Sequence, residues 1–175
     1  MIIVSAKYPV FVVPVLQMKK GEAEVERAHE FYFLQWGFHG APPTPGIDDP
    51  FCTSRAVSSS PQISTILFTP LQEYKIRAAF ATPYLVLTFY TDLASSHGIV
   101  LMRGEITPGT ESEGRHLLNQ EDAQLLAMQV QKFYLWGEAN NEEKGGEGER
   151  LLKEFHEKPQ EFKWEELLKH GDLSV

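Results

Sequence analysis

The chain has 175 residues, an ordinary 42% of hydrophobic residues and a net charge of −8. That length is enough to bury a sizeable core in one domain spanning 1–175, and that composition excludes wholesale disorder. The charge argues against nucleic acid and an anionic membrane surface as partners, the single Cys52 excludes an internal disulfide framework, and no apolar run approaches the roughly 20 residues of a membrane-spanning helix.

Val10–Leu16 reads as a strand, and Pro14, lacking an amide donor, places it at a sheet edge or bend. Gly21–His29 is charged and helix-tolerant. Glu30–Phe38 is dense in aromatics; helix and strand both fit, and aromatic enrichment favours a strand. Gly40–Pro61 reads as a flexible linker, rich in Pro, Gly and Ser. Its Asp48-Asp49-Pro50 reads as a turn before proline, since no further metal ligand follows at useful spacing.

Ile63–Phe68 is the next predicted strand. Thr69-Pro70-Leu71-Gln72 then carries the marks of a capping box, opening a helix to about Ala79 with Leu71, Tyr74 and Ala78 on one face. Tyr84–Tyr90 and Ile99–Ile106 read as neighbouring antiparallel strands joined by a polar link ending in Gly98. Asn119, with Asp122 three residues on, caps the longest predicted helix, Asn119–Trp136. Ala123, Leu126, Val130, Phe133 and Tyr134 form its apolar stripe, and Gly137 terminates it. The acidic, Gly-containing stretch 138–149 reads as a solvated flexible insertion. Two short amphipathic helices, Arg150–Glu157 and Pro159–Lys169, close the chain. The sum is an α+β fold: a mainly antiparallel sheet of five strands, with helices packed against one face and the second face open.

The motifs of chemistry are absent from the sequence. Six histidines occur, none spaced i, i+4 from another as a helical metal site requires, and no HxH is present. Ser95-Ser96-His97 sets hydroxyls beside an imidazole, but no nucleophile elbow accompanies it. Gly145, Gly146 and Gly148 lack the Walker spacing, and flanking glutamates repel phosphate. Arg103 and Glu105 share one face of a strand. Arg103 reads either as half of a lateral ion pair or as a partner contact from the open face. Met102, on the opposite face, reads either as core or as part of an adaptable binding surface.

FTPLQEYK from Phe68, the TP-x-LxLxFYTDLA run and GIVLMRGEI together resemble the mitochondrial ATP synthase assembly factor 1 family. KYPVFVVP from Lys7, the aromatics of Glu30–Trp36, AQLLAMQVQKFY and PQEFKWEELL support the resemblance, which covers roughly Lys7 to His170. It implies a non-enzymatic chaperone of the mitochondrial matrix that holds the unassembled β subunit of the catalytic head, with no cofactor, metal or nucleotide. It also implies a targeting segment already removed. The expected recognition surface lies where the signature concentrates, at Phe68, Leu71, Tyr74, Leu87, Phe89, Leu101, Met102, Arg103 and Glu105. Two other readings stand beside it: an interaction domain for a different partner, and a small hydrolase assembled from His97 or His116 with distant carboxylates.

Overall fold

Alternation of apolar residues builds the sheet. In a computed structural model describing residues 1–20, 25–40, 62–109, 116–135 and 146–171, five strands pair antiparallel in sequence order. They are β1 (Val10–Lys20), β2 (Val25–His39), β3 (Ile63–Pro70), β4 (Leu85–Tyr90) and β5 (Leu101–Ile106). The register aligns Phe11, Leu34, Phe68, Leu85 and Ile106 in one cross-strand row. Trp36, Ile66, Leu87 and Gly104 form the next row on that face. The opposite face carries Gln35, Leu67, Val86 and Glu105, then Gly37, Thr65, Thr88 and Arg103.

Three helices cover the first face. α4 (Gln120–Tyr134) turns its predicted stripe inward, and all five stripe residues are buried. Phe133 meets the Phe11 ring at 4.9 Å, and Tyr134 stands edge-on to Trp36 at 5.3 Å. The Tyr134 hydroxyl donates to the Tyr8 carbonyl at 3.0 Å, and burial pushes its pKa well above the ordinary range. α5 (Glu147–Glu157) adds Leu151 and Leu152, and α6 (Trp164–Gly171) adds Leu167. The Arg150 guanidinium ties the two together, reaching Glu154 at 2.7 Å and Glu166 at 2.5 Å. This is the expected α+β architecture, with three further short helices: α1 (Ile2–Lys7), α2 (Leu71–Arg77) and α3 (Ala94–His97).

The cap of α4 forms as its sequence indicates. The Asn119 side-chain oxygen accepts from the Asp122 N–H at 2.7 Å, while its amide donates to the Asp122 carboxylate at 2.8 Å. Replacing Asn119 with Ala is expected to destabilise the protein by about 1 kcal/mol. For a chain of this size that lowers Tm by roughly 2–4 °C in calorimetry.

Several boundaries differ from expectation. The helix-tolerant reading of Gly21–His29 is corrected over Val25–His29, which continues β2. There the backbone pairs with β1, from Lys20 opposite Val25 to Leu16 opposite His29. Thr69 is not a helix cap. It stays in β3, paired with Phe33 and buried, and the residue preceding α2 is Pro70, which offers no side-chain acceptor. The helix ends at Arg77, so Ala78 leaves the predicted apolar face and begins a single 3₁₀ turn, Ala78–Phe80. Ile99 and Val100 precede β5 rather than joining it, and the link before them holds α3, closed by Gly98 in the left-handed region at φ 67°. Pro159 lies in a turn, and α6 begins at Trp164. Residues 147–149, read as the end of a flexible insertion, are the first turn of α5. Residues 137–145 and the linker residues 41–61 with Asp48, Asp49 and Cys52 lie outside the described residues.

Candidate protein interface

The two edges of the sheet are finished differently. At β1, Pro14 presents no N–H, and its carbonyl accepts from the Gln129 side-chain amide at 2.5 Å. α6 closes over the same point: a Cβ added at Gly171 would sit 2.5 Å from the Pro14 ring. Glycine is required there for close approach, and the edge is closed at this point. At β5, the strand's outer side has no neighbouring strand among the described residues, and residues 101–105 are all exposed. An uncovered edge of this kind is a template for pairing with another chain.

Beside that edge lies an apolar groove of about 520 Å³. Met1, Ile2 and Ile3 of the N-terminal segment line it together with Phe89, Met102 and Leu135, the residue after α4. Met102 is 44% exposed and Leu101 52%, so both offer apolar area to a partner. Ser64 also lines the groove. Its hydroxyl is buried and has no hydrogen-bond partner among the described residues. A buried hydroxyl left unpaired costs about 1–3 kcal/mol.

The sequence-derived recognition residues separate into two sets. Phe68, Leu87 and Phe89 point under the helices and are buried, and of the three Phe89 also lines the groove. Leu101, Arg103 and Glu105 stand on the opposite face, and Met102 turns into the groove. The Arg103 guanidinium donates to Glu105 at 2.8 Å along the strand, with both side chains exposed. This is the lateral pair, and an exposed pair of this kind contributes little to stability. Leu71 is half-buried at the start of α2, and Tyr74 stacks on Phe33 at 4.3 Å, bringing α2 onto the otherwise open face. Near it, burial and then the Glu73 and Glu30 carboxylates hold the Tyr84 phenol above its ordinary pKa. The groove residues Ile2, Ile3, Ser64 and Leu135 escaped sequence reasoning. The apolar Ile2-Ile3-Val4 run was their only signal, and nothing in it says that it meets β5.

The histidines take other roles. His156 faces the Val10 carbonyl at 2.6 Å and packs at a tilt against the Tyr8 ring, and His39 contacts the Thr65 hydroxyl at 2.9 Å. His170 packs edge-on against Phe133, where burial lowers its pKa. His97 meets the Ser96 hydroxyl at 2.8 Å on an exposed helix. Among the described residues, no carboxylate contacts His97 or His116, and no group of three His, Cys, Asp or Glu is placed to hold a metal.

The family model described as ATP11 protein matches residues 1–168. The mitochondrial protein atp11 of Schizosaccharomyces pombe is 30% identical over 166 residues, covering 95% of this chain. The chain spans 45% of the length of that relative.

Proposed function

Because the chain belongs to the ATP11 protein family, we propose that it is an assembly chaperone of mitochondrial ATP synthase. It captures the unassembled β subunit of the catalytic head in the matrix and passes it to α. The observation that carries this reading is the β5 edge, which has no neighbouring strand among the described residues, beside an apolar groove with Leu101 and Met102 exposed. A free subunit exposes the large apolar surface that it later buries in the hexamer, and exposed patches of that kind aggregate. The groove takes apolar side chains of that surface, and the β5 backbone offers hydrogen bonds to an extended segment beside them. The task needs capture and release rather than bond chemistry, so neither cofactor nor nucleotide enters the proposal. The α subunit completes the client's native interface and displaces the chaperone.

The test is dilution of denatured β subunit with and without this protein, followed by light scattering and size exclusion. Suppressed scattering with a stoichiometric complex, and no effect on α, is the expected result. Unchanged scattering with no complex overturns the proposal.

A further inference from the structure

The corner formed by α2 and the following 3₁₀ turn exposes what a folded chain ordinarily hides. Ile76 is 83% exposed and Phe80 89%. The corner is nonetheless well anchored from inside. Tyr74 stacks on Phe33, and the Glu73 carboxylate accepts the Thr82 N–H at 3.1 Å across the turn. Arg77 pairs with that same Glu73 at 3.5 Å. Between the two apolar residues the backbone is strained: Ala78 sits at φ 48°, ψ −119°, a region that a residue with a Cβ avoids. Strain of this kind persists where the surroundings hold it, and it concentrates at functional positions. Here it accompanies a break in the helix that leaves Phe80 standing in solvent.

Charge identifies what fits. The whole chain carries −8, yet the exposed side of this corner sets Lys75 and Arg77 on either side of Ile76. Lys75 makes no ion pair among the described residues. Ile76 also borders a groove of about 660 Å³ with Tyr84, Thr107 and Pro108, near the C-terminal end of β5.

We infer that this corner is a second docking element of the chaperone, inserting Ile76 and Phe80 into an apolar pocket of the client subunit rimmed by carboxylates, with Lys75 and Arg77 facing the rim. The inference rests on the proposed capture of the β subunit and adds the element that makes the contact. Buried aromatic and aliphatic anchors dominate interface energies, while complementary rim charges set the association rate.

The experiment measures binding of the refolding β subunit to the intact chain and to Ile76→Ser, Phe80→Ser and Lys75→Glu. All three positions are exposed, so Tm is expected to hold. Each serine variant is expected to lose at least tenfold in affinity. Lys75→Glu is expected to slow association and flatten its dependence on salt. Wild-type affinity retained by both serine variants, with unaltered salt dependence in Lys75→Glu, overturns the inference and leaves the proposed function standing. Failure of the wild-type chain to bind overturns the reading beneath it. A wild-type homodimer broken by the serine substitutions, with capture unchanged, assigns the corner to a second copy and also overturns the inference.

Discussion

Phe133→Ala is expected to lower stability by about 3–5 kcal/mol, the range for truncating a fully buried phenylalanine. Phe133 is fully buried where α4, α5, α6 and β1 converge. Its ring meets Phe11 at 4.9 Å and His170 at 5.6 Å. α5 comes so close that a Cβ added at Gly148 would stand 3.3 Å from the Phe133 ring and 3.0 Å from the Lys132 carbonyl. Neighbours packed backbone to ring have little room to collapse into the space left behind, so the cavity term persists. Alanine's better helix propensity returns only about 0.5 kcal/mol. At about 2–4 °C per kcal/mol for this size, Tm should fall by roughly 10 °C in calorimetry. A loss of under about 1 kcal/mol, the size of a surface effect, would show that the helical layer is not packed as described.

That helical layer was legible because independent local signals agreed. Asn119 with Asp122 fixed the start of α4, and Ala123 to Tyr134 fixed its buried side. Cap and stripe both act within a few residues, so sequence carries them. Thr69 failed as a cap for the opposite reason: pairing of β3 with Phe33 across the sheet claimed its backbone. Val25–His29 carries no apolar alternation, and only its long partner strand makes it part of a sheet. The candidate site was half legible on the same grounds. Period two separates Leu87, Phe89 and Met102 from Leu101, Arg103 and Glu105. Which set lies under helices depends on residues 120–171, far along the chain. The meeting of Ile2, Ile3 and Leu135 at Met102 is a tertiary event with no local trace.

Met102→Glu is expected to impair β-subunit capture by at least about 30-fold, corresponding to the loss of a hot spot of roughly 2 kcal/mol. The residue is nearly half exposed, so the free chaperone leaves the new carboxylate in water, and the stability change should stay near 0.5 kcal/mol. The complex cannot do the same. A client side chain filling the groove would press apolar surface against an ionised group flanked by Phe89 and Leu135, with no Lys or Arg side chain among the described residues that line the groove. Arg103→Ala gives the contrast. It removes only an exposed lateral pair from the other face of the same strand, worth about 0–1 kcal/mol. Measuring capture and Tm for both variants separates groove from strand. Loss confined to Met102→Glu at unchanged Tm places the client in the groove. Equal loss in both places it across the open face, and loss that follows Tm would mean that β5 serves the fold rather than the partner.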